Sequence, residues 1–156
     1  MKRTFFWLVG LLATPPALGE PTEPWVTKKL VILQSTKSYE SAKKTATAAG
    51  KHLKKPVRLR DLKPNKKRGL THSKKECAEN GYNWPCYVSR GRYDDGAYIS
   101  IEYSSAFNGW TDGYYVVIAA SAEKSDPVIN KTLNKAKKRW KDAYAKSAEI
   151  WLGCMH

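Results

Sequence analysis

The sequence predicts an α+β fold of ferredoxin-like type, a β-α-β / β-α-β sandwich with one antiparallel-containing sheet, two helices on one face and an inserted β-hairpin. Two strand-to-helix units and one hairpin signal predict it. The first unit runs from an unbroken apolar stretch at residues 29–35 into a helical pattern that begins after Ser38. The second runs from residues 114–121 into a pattern that begins after Asp126. Between them, Asp94-Asp95-Gly96 separates two segments of strand-like composition, and Asp-Gly at such a tip is a strong hairpin signal.

Each element has a local reason. Residues 29–35, Lys-Leu-Val-Ile-Leu-Gln-Ser, place an apolar run between polar ends, as a central strand requires. Ser38 can cap a helix reaching about Ala49, with Tyr39, Ala42, Ala46 and Ala49 on one side and Gly50 as the stop. The small Ala stripe lets that helix sit close to a sheet. Residues 57–61, Val-Arg-Leu-Arg-Asp, alternate apolar and charged side chains, the pattern of a strand buried on one face. Residues 63–75 hold Lys63, Lys66, Lys67, Arg68, Lys74 and Lys75 without an acidic residue and read as a mobile loop.

Residues 87–93 and 97–104 are the limbs of the predicted hairpin; in the second limb Ala97, Ile99, Ile101 and Tyr103 alternate with Tyr98, Ser100, Glu102 and Ser104. After the strand at 114–121, Asp126 and Pro127 supply an N-cap and the residue best tolerated at the first helical position. Ile129, Leu133, Ala136 and Trp140 then line one side of a helix whose remaining surface is largely lysine. Residues 145–152 return as the last strand. The expected division is a signal peptide at 1–19, a lead-in at 20–27, a single α+β domain at 28–153 with an insert at 63–112, and a tail at 154–156.

Composition sets the class of partner. The 156 residues carry 28 Lys+Arg against 14 Asp+Glu, a formal charge of +14, with a mean hydropathy of −0.59. At 42% hydrophobic the chain can bury a core and is not a disordered tail. Met1-Lys2-Arg3, a short apolar stretch and small residues at Ala17 and Gly19 read as a secretory signal peptide, too short to span a bilayer. Export makes nucleic acid a minority reading for the charge and brings anionic envelope polymers, lipid headgroups and acidic proteins forward. The localisation expected is periplasmic or secreted. Three cysteines allow three single bridges; Cys77–Cys86, closing a short turn-rich loop, is the favoured one.

Catalytic constellations are scarce. Asp94 and Asp95 are explained by their turn, and His52, His72 and His156 show no zinc spacing. Phosphate-loop, nucleophile-elbow and dinucleotide patterns are absent. Cys154-Met155-His156 holds donors for a soft metal, but three adjacent residues without a second cluster read more simply as a tail. No metal, cofactor or enzymatic role is therefore expected. A binding surface is. If residues 57–61 and 97–104 turn their polar sides to an uncovered sheet face, Arg58, Arg60, Tyr98, Ser100 and Glu102 converge there, with Arg90 and Arg92 able to join them. Arginine forks pair with carboxylates, and aromatic rings stack on sugar faces. Trp140 and Trp151 lie in regular elements and are expected in the core, whereas Trp84 and Trp110 lie in turn-rich loops where they can meet a ligand.

The strand at 30–34 with Ser35-Thr36-Lys37-Ser38-Tyr39-Glu40-Ser41-Ala42, and the strand Tyr115-Val116-Val117-Ile118 leading towards Ala136, resemble the SPOR family of bacterial envelope domains. That resemblance implies two β-α-β halves that bind septal peptidoglycan through the open sheet face, without catalytic residues. The function expected is thus an exported module for peptidoglycan or a related anionic glycan. The alternative is a secreted basic factor whose loop at 63–75 docks an acidic protein.

Overall fold

A computed structural model describes residues 25–92 and 94–153. The expected signal peptide, most of the lead-in and the Cys154-Met155-His156 tail lie outside the described residues. The elements are β1 (Trp25–Thr36), α1 (Tyr39–Leu53), β2 (Lys63–Asn65), β3 (Gly69–Thr71), α2 (Lys74–Glu79), β4 (Ser100–Tyr103), β5 (Tyr115–Glu123), α3 (Pro127–Lys137) and β6 (Tyr144–Trp151). β4-β5-β1-β6 form one sheet whose neighbouring pairs are all antiparallel. With β1-α1-β4 as one half and β5-α3-β6 as the other, this is the ferredoxin-like order expected. β2 and β3 make a separate small ribbon inside the insert.

The two helices form where their caps and apolar spacing dictate. Ser41 N–H donates to Ser38 Oγ at the start of α1, and Val128 N–H to Asp126 Oδ1 at the start of α3. Ala42, Ala46, Ala49 and Leu53 of α1 and Ile129 and Ala136 of α3 pack with Val31, Leu33, Ile101, Val117 and Ala119 into one core. Trp140 packs against that core, although α3 ends at Lys137 and the expected helical stripe does not reach it. Gly50 does not end α1, which continues to Leu53. A Cβ at residue 50 would lie 2.4 Å from Val57 Cγ2, so this glycine lets the returning chain pass close to the helix.

The insert departs from the expected strands in three places. Residues 57–61 are not a strand: Val57 makes an isolated bridge to Ile99, and Arg60 and Asp61 adopt left-handed φ of 54° and 51°. Alternation alone permitted a strand there, but the turn carries Arg60 inward to a buried carboxylate. The second-strand position of the fold is filled instead by β4, so the insert occupies residues 54–99 rather than 63–112. Residues 87–92 are also irregular, and β4 pairs with β5 rather than with them. Asp94-Asp95-Gly96 is a turn knitted to β5, since Gly96 and Ser121 exchange backbone hydrogen bonds of 2.7 and 3.1 Å.

The basic segment at 63–75 is ordered rather than a mobile loop. Asn65 Oδ1 accepts from the backbone N–H groups of Lys67 and Arg68, closing the turn of the β2–β3 ribbon. A Cβ on Gly69 would fall about 2 Å from the Tyr103 ring, so the ribbon can lie against β4 only with glycine there. Cys77 and Cys86 form the favoured disulfide, which ties α2 to the chain that follows.

Candidate functional site

The sheet face opposite the helices is covered. A second core of Leu30, Ile32, Val116, Ile118, Ala148 and Ile150 lies there, closed by Phe107 from the β4–β5 connection, with Trp110 packed beside it. Trp110 tilts against Phe107 at 4.7 Å, and its indole N–H reaches Ser147 O at 3.4 Å. It is part of the cover, not a free ligand contact. The polar residues expected on this face do converge, but beneath residues 87–92 and 94–95 of the insert.

Ser100, Glu102 and Arg90 are 0% exposed and Tyr98 is 3% exposed, which corrects their assignment to an open binding surface. Glu102 accepts from Arg60 Nη2 at 2.7 and 2.6 Å, from Arg90 N–H at 3.1 Å and from the Tyr87 hydroxyl. Arg90 donates from Nη1 to Tyr98 O at 2.8 Å and from Nη2 to Gly96 O at 2.6 Å, and its guanidinium stacks 3.5 Å from the Tyr98 ring centre. Asp94 accepts hydrogen bonds from the Tyr98 hydroxyl and from the Gly91 N–H. Two arginines and two carboxylates make the cluster neutral. Unsatisfied carbonyls of irregular chain therefore find donors that no strand partner supplies.

The proton affinities follow this burial. Burial works against the Arg60 charge, but Glu102 beside it holds the guanidinium pKa above its ordinary value. For Arg90 the burial wins and the pKa falls, yet a guanidinium remains protonated. Burial and then Glu102 raise Tyr87 well above the usual tyrosine value, and burial raises Tyr98. Burial pushes Asp94 up, but the Tyr98 hydroxyl and the Gly91 amide overcome it and leave the carboxyl below its ordinary value. Glu102 accepts four hydrogen bonds, three of them on Oε2, at the centre of the cluster; Arg60 and Asp94 also border a cavity of about 410 Å³ with His72 and Glu76.

Another concavity lies at the rim of this cover. A groove of about 440 Å³ runs between the disulfide-bonded part of the insert and the ends of β1 and β6, lined in part by Trp25, Trp151, Tyr82, Arg68 and Arg92. Trp25 and Trp151 are directly opposite each other in the β1–β6 register and are 45% and 39% exposed. Tyr82 is 40% exposed. The Arg92 guanidinium lies 4.4 Å from the Trp151 ring centre while its Nε–H donates to Leu152 O. Among the described residues no Asp or Glu lines the groove.

Of the sequence-predicted site residues, Arg92 and Arg68 reach the groove. Arg58 is exposed at the other side of the cover, 5.0 Å over Tyr98. Trp84 is 47% exposed but stands under Lys74 at 5.2 Å, outside the groove lining. Lys63, Lys66, Lys67, Lys74 and Lys75 are all exposed. Trp151 leaves the core to which it was assigned because β6 is the sheet's edge strand and residue 151 ends it. Trp25, assigned to the lead-in, and Tyr82 were missed. The continuation of β1 back to Trp25 was the signal for the first; its pairing with Trp151 is a product of topology. Among the described residues no group of three or more His, Cys, Asp or Glu is arranged to hold a metal ion, and no helix is long and apolar enough to cross a membrane. The chain matches no protein-family model, no curated protein and no solved structure.

Proposed function

We propose that the protein is an exported, non-enzymatic module that binds a carboxylate-bearing envelope glycan of the peptidoglycan class in the groove at the rim of the sheet. One observation carries this reading: three exposed aromatic rings share a concavity with two arginines and no carboxylate. An exposed cluster of large aromatic side chains costs solvation free energy unless a ligand covers it. Trp25 and Trp151 offer adjacent apolar faces for sugar rings, and Arg68 and Arg92 offer planar donor forks for carboxylates. The ligand class is the one the SPOR resemblance implies; the site moves from the sheet face to its edge. The Cys77–Cys86 disulfide is consistent with an oxidising compartment.

Co-sedimentation with purified sacculi tests the reading. The wild-type protein is expected in the pellet at low salt. A Trp25→Ala, Trp151→Ala variant with an unchanged circular dichroism spectrum is expected to bind at least about tenfold more weakly, the loss of one or two stacked rings. Arg58→Ala is expected to bind as wild type. Folded wild-type protein that stays in the supernatant contradicts the reading.

The ordered β2–β3 ribbon supports a second reading, in which an acidic protein docks on Lys63, Lys66 and Lys67. That partner is expected to bind with a steep salt dependence and to be lost in a Lys66→Glu, Lys67→Glu variant that still binds sacculi.

A further inference from the structure

The helical layer, on the side of the sheet away from the covered face, carries a charge distribution that the groove does not use. α1 and α3 lie side by side on β1 and β5 and spend their apolar stripes on the core between them. What they turn outward is cationic. Lys44 and Lys51 of α1, Lys131 and Lys135 of α3, and Lys138 and Arg139 just beyond it are all exposed. α3 contains no acidic residue, and the next carboxylates in sequence are Asp126 before it and Asp142 after it. On α1 the one acidic residue, Glu40, stands 3.7 Å from Lys43. Among the described residues no carboxylate lies within ion-pair distance of Lys44, Lys51 or Arg139.

The shape of this surface selects its partner. Lys43, Lys44, Lys51 and His52 of α1, together with Glu40 and with Arg139 just beyond α3, border an open depression of about 630 Å³. Its cations are spread along two helices rather than aimed at one point, so a single small anion would meet few of them at once. A laterally extended sheet of negative charge would meet all of them. None of the large exposed apolar side chains belongs to α1 or α3, so this face offers charge without an insertion device. The β2–β3 ribbon is the rival cationic feature, but α2, immediately after it, adds Glu76 and Glu79 beside its lysines, with Lys75 and Glu79 3.7 Å apart.

We infer that the outer face of α1 and α3 is an electrostatic docking surface for an anionic phospholipid bilayer, acting independently of the glycan groove. Each lysine or arginine near such a surface strengthens binding by roughly fivefold, and the effect is screened within about 10 Å at ordinary salt. Binding is therefore peripheral, reversible and salt-sensitive. A protein with one polymer-binding groove and one lipid-facing layer would hold the two surfaces together.

Vesicle flotation with the full chain tests this. In vesicles with about one phosphatidylglycerol in three lipids, the wild-type protein is expected to float at about 0.05 M salt and to be released at about 0.5 M; pure phosphatidylcholine vesicles are expected not to bind. A Lys44→Gln, Lys51→Gln, Arg139→Gln variant, all surface changes, is expected to lose about a hundredfold in affinity. Lys66→Gln, Lys67→Gln and Trp25→Ala, Trp151→Ala are expected to bind vesicles within about twofold of wild type. Vesicle binding that survives the helical variant, or falls instead with the ribbon variant, overturns the inference. So does binding of the helical layer to polyphosphate without binding to vesicles. Failure of the groove variant on sacculi leaves the vesicle result untouched, so the two readings fail separately.

Discussion

On one face of the sheet, Ala42, Ala46 and Ala49 bring α1 against an apolar core with Val31 and Val117; on the other, Arg90 and Glu102 sit fully buried inside a cover made largely of irregular chain. The helices satisfy their own main-chain groups, so their contact with the sheet needs only size and apolarity. The insert has no such internal ladder where it crosses β4. Its carbonyls at Val88 and Tyr98 take hydrogen bonds from arginine side chains, and that of Gly96 takes one from Arg90 beside the one from the Ser121 amide. One face is held by packing alone, the other by an apolar core together with buried polar groups that satisfy one another. The same comparison explains where a ligand can go: the covered face is closed, and the rim where cover meets edge strand is open.

The largest expected effect breaks the polar face. Glu102→Ala removes the acceptor shared by Arg60, Tyr87 and the Arg90 amide, leaving a buried charge unpaired, and is expected to cost about 3–5 kcal/mol in urea denaturation. A loss under about 1 kcal/mol would mean that the cover opens to water without consequence for the fold. Next is the joint variant Cys77→Ser, Cys86→Ser, which frees a nine-residue separation and is expected to lower stability by about 2–3 kcal/mol while loosening the groove wall. On the helical face Ala46→Leu is expected to cost about 1–3 kcal/mol through overpacking alone, with no change in the pH dependence of stability.

The smallest effect is the titration of buried tyrosines. Tyr87 and Tyr98 have folded pKa values raised above the ordinary value of 10.0, chiefly by burial. Their neutral forms stabilise the fold fully below that value, and the contribution is lost as pH rises through the folded pKa. Stability measured by denaturant between about pH 9 and about pH 11 is expected to fall, with a shallower fall in Tyr98→Phe and no change of slope in Ala46→Leu.

The sequence made the helical face readable because its code is periodic. Ser38 and Asp126 mark the helix starts and Ala42, Ala46 and Ala49 mark the buried stripe of α1, as observed, whereas the helix ends fall elsewhere than expected, at Leu53 and Lys137. The polar face was legible only as a gathering of residue types. Arg60, Arg90, Tyr98, Ser100 and Glu102 do meet, as their alternation implied, yet alternation does not report what lies on top of them. Residues 57–61 and 97–104 share the same alternating pattern; one becomes a left-handed turn and the other contains β4, because Arg60 gains a buried carboxylate that a strand conformation would place out of reach. The groove was hidden for a different reason. Trp25 and Trp151 are far apart in the chain, and only the antiparallel register of β1 with β6 sets them side by side.

That pair gives the most direct test of where ligand binds. In a titration with soluble, carboxylate-bearing peptidoglycan fragments, followed by the indole N–H resonances of the tryptophans, Trp25 and Trp151 are expected to shift together and saturably while Trp140 stays fixed. Shifts at Trp84 alone, or none at Trp25 and Trp151 at saturating fragment, would contradict the placement of the glycan in the groove.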